Sequence, residues 1–576
     1  MTRLFNDPAT FTEDMLEGFL DANSRYVVGV PGGVVRAVST PEGKATVVVG
    51  GGSGHYPAFC GVVGRGFADG AVVGNIFTSP SADDAASVAR AVDNGGGVLL
   101  TTGNYAGDVM NFGLAVQKLR SEGIDARYLA VTDDIASAPL DQIEKRRGIA
   151  GDFTVFRCAS AAADSGYSMD DVERIGTAAN DATRTLGVAF DGCTMPGAGE
   201  PLFSVEKGTM GLGLGIHGEP GVSSHEMPSA AELADLLVDG VLVEKPAGSS
   251  DRIAVILNGL GRTKYEELFV VWQTVARRLR EAGYTVVDPE VGELVTSLDM
   301  AGCSLTIMWL DDELERFWTA PADTPAYRKG AVAANAGERR SASAAVAAGA
   351  DTLPESDEAS RECARFVLKS IDALAERMVS AEDELGRIDA VAGDGDHGRG
   401  MVKGTAAARS AARDAADRQG GTGSVLAAAG SAWAAKAGGT SGVLWGAALT
   451  AIGNRLGNNG TPGDTDVAEA LRAGYTALTS LGGASLGDKT MLDALDPFVG
   501  AVERSVAAGD GWRSAWSDAV AVAQKAAVGT ADLRPKVGRA RPLAERSVGT
   551  PDAGAVSMAM SVAAVAELFT NQGISS

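Results

Sequence analysis

Histidine is scarce in this chain: four in 576 residues, at positions 55, 217, 225 and 397. Cysteine is nearly as sparse, with five residues set far apart at 60, 158, 193, 303 and 363. None forms a CxxC pair, which argues against a disulfide scaffold or a CxxC-type zinc site and leaves buried thiols in a reducing compartment. Cations are outnumbered. Fifty Lys plus Arg against 74 Asp plus Glu give a net charge of −24, ill suited to a nucleic-acid backbone or an anionic membrane. No run approaches the ~18 apolar residues of a membrane span. The first residues, Met1 to Pro8, lack the apolar core of a secretory signal. The expected compartment is the cytoplasm, with no nucleic-acid and no membrane partner. A GxxxxGK[ST] phosphate loop and the protein-kinase signature set are also missing.

Glycine is plentiful instead, at 75 residues. The glycines cluster after apolar, β-branched runs, which favours loops where backbone approaches a ligand. Residues 1–330 alternate short apolar strands (Thr46–Val49, Gly97–Thr101, Tyr128–Thr132, Ile253–Leu257) with helical segments such as Asp83–Val92 and Ala230–Leu237. Ser229-Ala230-Ala231-Glu232 reads as a capping box. Strand–helix alternation predicts an α/β domain with mostly parallel sheets, divided into two lobes near 180–200. Residues 331–358 turn to Ala, Gly, Ser and charge and read as a linker. From 359 to 576 apolar residues recur at three- and four-residue spacing, which predicts a separate all-helical domain.

Several glycine-rich segments could carry chemistry. Val49-Gly50-Gly51-Gly52-Ser53-Gly54-His55 ends a strand in a loop whose N–H groups could converge on a polar or anionic ligand. A tight turn with a satisfied histidine is the alternative. Asn104-Tyr105-Ala106-Gly107-Asp108 ends another strand. Asp108 could be a general base or the N-cap of a helix over Val109–Leu119. Gly211 to Gly221 frames His217, whose neutral imidazole would be a competent nucleophile toward a carbonyl, or a surface-loop histidine. His225 reads as structural. Asp389-Ala390-Val391-Ala392-Gly393-Asp394-Gly395-Asp396-His397 puts three carboxylates in eight residues. Hard oxygen donors at that density suit Mg²⁺ bridging phosphates better than a solvated acidic turn. Gly438-Gly439-Thr440-Ser441-Gly442, Gly487-Asp488-Lys489-Thr490-Met491 and Arg539 with Asp552-Ala553-Gly554 could expose N–H groups at helix ends around one mouth, or be ordinary caps and turns.

Taken in order, GGGSGH, NYxGD, GIHGEPG, GDGDxG, GGTSG, GDKTMLDAL and GRA…ERSxGxxDxGA strongly resemble the ATP-dependent dihydroxyacetone kinase family in its fused form. The resemblance covers nearly the whole sequence. It implies a ketose-binding domain of two α/β lobes and a nucleotide-binding eight-helix barrel. Matched positions imply that His217 attacks the ketone as a covalent hemiaminal. They imply Asp108 as base toward a terminal hydroxyl and His55 as hydrogen-bond partner at the reacting end. Gly52, Ser53 and Gly54 would line the ketose. Asp389, Asp394 and Asp396 would hold two Mg²⁺ ions on ATP. His397, Gly398, Thr440, Ser441, Gly482, Met491, Arg539, Asp552, Ala553 and Gly554 match nucleotide-contact positions. A homodimer is implied as well.

The chain departs from the family pattern at Gly103, where a ketose-contacting Lys is common, and at Tyr56-Pro57-Ala58-Phe59, Gly211, His397 and Arg541-Pro542. The substrate-side changes suggest a shifted ketose, with a tetrulose such as erythrulose filling space vacated at Gly103, unless Tyr56 or another side chain refills it. A ketose-sensing regulator that does not turn over substrate, or a phosphotransferase-system relative, are the competing readings. The intact His217, Asp108 and aspartates weigh against the first, and the fused chain against the second.

Overall fold

The computed structural model describes residues 2–219, 221–331, 340, 353–393, 395–437, 439–537 and 544–571. The chain forms two compact units, Met1–Gly349 and Ala350–Ser576.

The first unit opens with helix α1 (Phe11–Ala22) and builds its first sheet from β1 (Val27–Val30), β2 (Gly33–Arg36), β3 (Thr46–Gly52), β4 (Gly70–Gly74), β5 (Val98–Gly103) and β6 (Ala126–Val131). The strand order is β1-β2-β4-β3-β5-β6. β4, β3, β5 and β6 run parallel, and β1 and β2 join antiparallel at one edge. Both faces are covered. Val48 and Leu100 pack with Ala85, Val88 and Phe112 of α2 (Ala82–Val92) and α3 (Ala106–Ser121). Val47, Val49 and Leu99 face α4 (Asp152–Asp164) and α5 (Met169–Asp181). Burial on both faces is why these strands are nearly uninterrupted apolar runs.

The second sheet contains β7 (Thr183–Asp191), β8 (Thr209–Leu212), β9 (Ser223–Glu226), β10 (Arg252–Gly259), β11 (Thr285–Val286), β12 (Glu290–Gly292) and β13 (Ala301–Trp309). Its order is β11-β10-β13-β7-β8-β9, with β12 beside β10. Ile253, Val255 and Leu257 of β10 pack against Leu233 and Leu237 of α6 (Ala230–Leu242) and Leu268 and Val275 of α7 (Tyr265–Glu281). Ala254 and Ile256 face the other way, into the core that also holds Val47, Leu99 and α4. Every residue of α4 from Asp152 to Ala163 is buried, as befits a helix covered on all sides.

The two-lobed α/β architecture follows the sequence expectation. Parallel pairing, however, belongs to the first sheet; in the second it is confined to β11 and β12 beside β10, and the long pairings β10–β13, β13–β7, β7–β8 and β8–β9 are antiparallel. An apolar run reports burial on both faces, and antiparallel strands buried on both faces share it. The capping box at Ser229 is present, with Ser229 Oγ accepting from Glu232 N.

The second unit is helical: α9 (Glu358–Asp389), α10 (His397–Asp417), α11 (Thr422–Ala437), α12 (Gly439–Leu456), α13 (Asp464–Gly482), α14 (Leu492–Ala507), α15 (Trp512–Gly529), the short α16 (Ala544–Ser547) and α17 (Ala553–Asn571), following α8 (Asp312–Trp318) of the first unit. Successive long helices pack on each other, and α17 returns to both α15 and α9. That closes a ring of eight long helices among the described residues. Short connections make neighbours antiparallel. Glycine permits the closest approach: a Cβ at Gly446 would lie 2.6 Å from the Gly430 carbonyl, and one at Gly453 2.8 Å from that of Gly423. In such an up-and-down ring, alternate connections emerge at one end. The ends of α9, α11, α13 and α15 therefore meet the starts of α10, α12, α14 and α17 on the same side, where the described residues of this unit's motifs fall. No helix among the described residues is long and apolar enough to cross a membrane.

Candidate active site

The first cluster gathers where the C-terminal ends of β3 and β5 meet loops of the second sheet. β3 passes into a tight turn at Ser53–His55. Gly54 N donates to Ile76 O at 2.8 Å, so this N–H serves the turn and is not free for an anionic ligand. The glycines are required by packing, since a Cβ at Gly52 would sit 2.2 Å from the Ile76 carbonyl and one at Gly54 2.6 Å from the Phe77 ring. Ser53 Oγ lies 3.2 Å from Thr12 Oγ1.

The turn delivers His55 into the interior, 3% exposed. Its Nδ1 donates to the Thr296 carbonyl at 2.7 Å, and its Nε2 lies 2.9 Å from Nε2 of His217. His217 Nδ1 lies 2.9 Å from Glu219 Oε1, and the His217 N–H donates to Glu219 Oε2 at 3.1 Å. These contacts assign the protons. The Thr296 carbonyl can only accept, so His55 Nδ1 carries hydrogen. The carboxylate of Glu219 can only accept, so His217 Nδ1 carries hydrogen. Burial acts against Glu219, but the neighbouring His217 and Arg147 charges hold it well below the usual carboxylate range. Two lone pairs facing each other at 2.9 Å would repel, so the Nε2 atoms share one proton. Burial, then the His217 charge, pushes His55 down to about 3.

Phe77 and Tyr105 flank His217, with ring centroids at 5.3 and 4.7 Å. Asp108 lies in the first turn of α3, but the cap position is Tyr105 and the Asp108 side chain is not a cap. Its carboxyl is 9% exposed, and Oδ1 has no hydrogen-bond partner among the described residues. Burial pushes it up to about 6, offset partly by the Ser79 hydroxyl and the His217 charge. His55, His217 and Asp108 thus converge although 162 residues separate the first two. His225 is elsewhere, on the exposed strand β9 beside Ser223.

Gly103 corrects one expectation. A Cβ there would meet Tyr105 at 3.0 Å, the Asp152 carboxyl at 3.2 Å and the Gly148 carbonyl at 3.2 Å. The volume beside residue 103 is filled, and not by Tyr56, whose ring packs on Phe19. Glu219, Tyr105 and Asp152 were assigned no role from sequence. Glu219 had a local signal, two residues beyond a histidine in a glycine-tight turn. Asp152 had none.

The second cluster belongs to the helical unit. Asp389, Val391, Ala392, Lys489, Ser547, Thr550, Asp552 and Ala553 line one pocket. Asp552 Oδ2 accepts from Ala555 N at 2.7 Å. Burial first, then the Asp493 charge, with Asp389 also contributing, pushes Asp552 up to about 6. The Lys489 ammonium beside it is buried and donates to the carbonyls of Ser547 at 2.7 Å and Leu533 at 3.1 Å. Asp389 and Asp552 supply hard carboxylate oxygens of the kind a divalent cation takes, and the neighbouring Lys489 is tied to backbone, but among the described residues no group of three or more His, Cys, Asp or Glu is placed to hold a metal ion. Asp396 is the residue before α10 and makes no side-chain cap bond. Asp394 and Arg539, like Arg541 and Pro542, lie outside the described residues. Met491 opens α14, and a Cβ on Gly554 would be 3.5 Å from Met491 Cβ. Thr440 and Ser441 are in the first turn of α12, and Gly482 ends α13 near Leu444. His397 Nε2 lies 2.9 Å from Ser557 Oγ, and burial lowers its pKa to about 4. Gly398 has a packing role: a Cβ there would stand 2.1 Å from the Glu382 carbonyl of α9.

Comparison with known proteins identifies the family. A Dak1 domain matches residues 17–326 and a DAK2 domain matches residues 391–567. The chain is 69% identical over 573 residues to a D-erythrulose kinase of Mycolicibacterium smegmatis, covering 99% of both chains. It is 53% identical to an L-erythrulose 1-kinase of the same organism, over 99% of this chain and 100% of the relative. Among solved structures it resembles the dihydroxyacetone kinase from C. freundii in complex with AMP-PNP and Mg²⁺, at 29% identity and TM-score 0.52, over 98% of this chain and 99% of that one. The chain belongs to the ATP-dependent dihydroxyacetone kinase family, in the form that carries both domains in one polypeptide.

Proposed function

We propose that this chain transfers the γ-phosphoryl group of ATP to a terminal hydroxyl of a tetrulose, with D-erythrulose as its preferred substrate. The full-length relative at 69% identity supports the D enantiomer over the L form named for the relative at 53%. The observation that carries the reading is the His55–His217–Glu219 chain of hydrogen bonds.

Its chemistry balances without an outside acid or base. The shared proton moves to His55 Nε2 and frees the His217 Nε2 lone pair. That nitrogen attacks the ketone carbon as the C=O π bond breaks, and the new oxyanion takes the proton back from His55. The result is a neutral hemiaminal hydroxyl on an N-alkylated imidazolium, whose charge pairs with Glu219. A ketone is required, so glycerol is excluded. Asp108, ionised above about pH 6, accepts the proton of the attacking hydroxyl.

Asp389, Asp394 and Asp396 are assigned to two Mg²⁺ ions, with His397, Thr440, Ser441, Met491, Arg539 and Asp552 toward the nucleotide. When bound, the metal neutralises charge developing on the phosphate oxygens. Lys489 fixes the backbone at Leu533 and Ser547 that frames this pocket.

The test is ¹³C NMR of carbonyl-labelled erythrulose with the protein, without nucleotide. Loss of the ketone resonance and a new upfield sp³ carbon signal, absent with His217→Ala, are expected. A ketone signal unchanged at saturating protein would refute the covalent step.

A further inference from the structure

Asp108 Oδ1, Tyr105 Oη and Asp152 Oδ1 are buried polar atoms with no hydrogen-bond partner among the described residues; the Tyr105 ring touches His217, and Asp152 lies close enough to Tyr105 and Asp108 for their charges to act on each other. The first is accounted for by proton transfer. The other two are not, and an unpaired buried polar atom is costly enough to need a reason. Tyr105 packs edge-on against His217 at 4.7 Å between ring centroids, and its hydroxyl lies among Glu219, Arg147, Asp152 and Asp134. Asp152 is 3% exposed, at the start of α4. Its Oδ2 stands 3.2 Å from the ideal Cβ of Gly103, with the Tyr105 ring at 3.0 Å, and its unpaired Oδ1 stands 2.5 Å from that of Gly148. The missing side chain at 103 is what lets both groups line this wall.

Their chemistry is alike. Burial first, then the charges of Asp133 and Asp108, raises the Asp152 carboxyl well above its ordinary range. Burial favours its protonated form, which offers a donor and an acceptor, as the Tyr105 phenol does. Tyr105 and Asp108 flank the nucleophile and Asp152 adjoins both, and a tetrulose carries three hydroxyls. Dihydroxyacetone carries two, and would leave one group unpaired. A site built to bond a hydroxyl rejects the analogue that lacks it.

Resting on the kinase reading above, we propose that Tyr105 and Asp152 are the specificity-determining residues of the ketose site: they bond the two tetrulose hydroxyls that are not phosphorylated, while Asp108 faces the third.

The test compares kcat/KM for D-erythrulose, L-erythrulose and dihydroxyacetone in wild type, Tyr105→Phe, Asp152→Ala and Asp152→Asn. In at least one of Tyr105→Phe and Asp152→Ala, the ratio of erythrulose to dihydroxyacetone should fall by about 10- to 100-fold, mainly through KM. Asp152→Asn keeps a donor and an acceptor in place and should hold the ratio near wild type. Tyr105→Phe is nearly isosteric and decides the matter if Asp152→Ala does not fold. Equal losses on all ketoses, or no loss, would overturn the proposal and leave the kinase reading intact. A loss in Asp152→Asn as large as in Asp152→Ala would remove Asp152 from it. A wild type that turns over no ketose would overturn both.

Discussion

His55 and His217 meet through their Nε2 atoms at 2.9 Å, with Thr296 fixing the outer nitrogen of one ring and Glu219 that of the other. The four groups form one chain of donors and acceptors in which a single proton is mobile. Glu219 holds the hydrogen of His217 on Nδ1, which leaves Nε2 as the nitrogen that faces His55.

Glu219 follows directly. Glu219→Gln keeps the shape but removes the counter-charge of the alkylated imidazolium. Ketose affinity should fall by about 10- to 100-fold, the range for a hydrogen bond to a charged group, while ATP affinity stays unchanged. Titration calorimetry with each ligand separately checks both halves.

Asp108 couples activity to stability. Its folded carboxyl stands at about 6, against an ordinary 3.8. The folded protein holds this proton more tightly than the unfolded chain does, so the contribution is favourable below about pH 4 and is lost as pH rises through about 6. At pH 7, Asp108→Asn should stabilise the protein by about 2–3 kcal/mol while lowering turnover by about 10²–10⁴-fold. Unfolding measured at pH 4 and pH 7 should show the gain only at the higher pH.

In the helical unit, Lys489→Met removes both ammonium bonds and leaves the carbonyls of Ser547 and Leu533 without that donor. The melting temperature should fall, and KM for ATP should rise about tenfold, the scale of one lost charged hydrogen bond. Ketose binding without nucleotide should not change. Calorimetry and initial rates at varied ATP distinguish these effects.

Much of this was legible in the sequence because it was local. β3, β5, β6 and β10 stood out as apolar runs, the Ser229 box marked α6, and the ordered motifs marked His217, Asp108 and Asp389. β7 and β13 escaped because they carry buried polar residues that satisfy each other across the sheet, as Thr185 and Thr306 do at 2.8 Å. The antiparallel pairing of the second sheet escaped because burial, not strand direction, sets apolar patterning. Gly439-Thr440-Ser441-Gly442 opens α12: Gly439 takes a positive φ of 62° there, and a Cβ on Gly442 would stand 2.9 Å from that of Ala437. Asp152 escaped for a different reason: its meaning lies 49 positions away, in the side chain that Gly103 lacks.

His217 is proposed to hold the tetrulose covalently while it is phosphorylated. The most direct test is ADP release from Mg-ATP by wild type and His217→Ala, with D-erythrulose, L-erythrulose, dihydroxyacetone and glycerol. The account predicts the highest kcat/KM for D-erythrulose, none for glycerol, and loss of ketose turnover in His217→Ala with nucleotide binding retained. Ketose-dependent ADP release by His217→Ala at the wild-type rate, or equal turnover of glycerol by wild type, would contradict it.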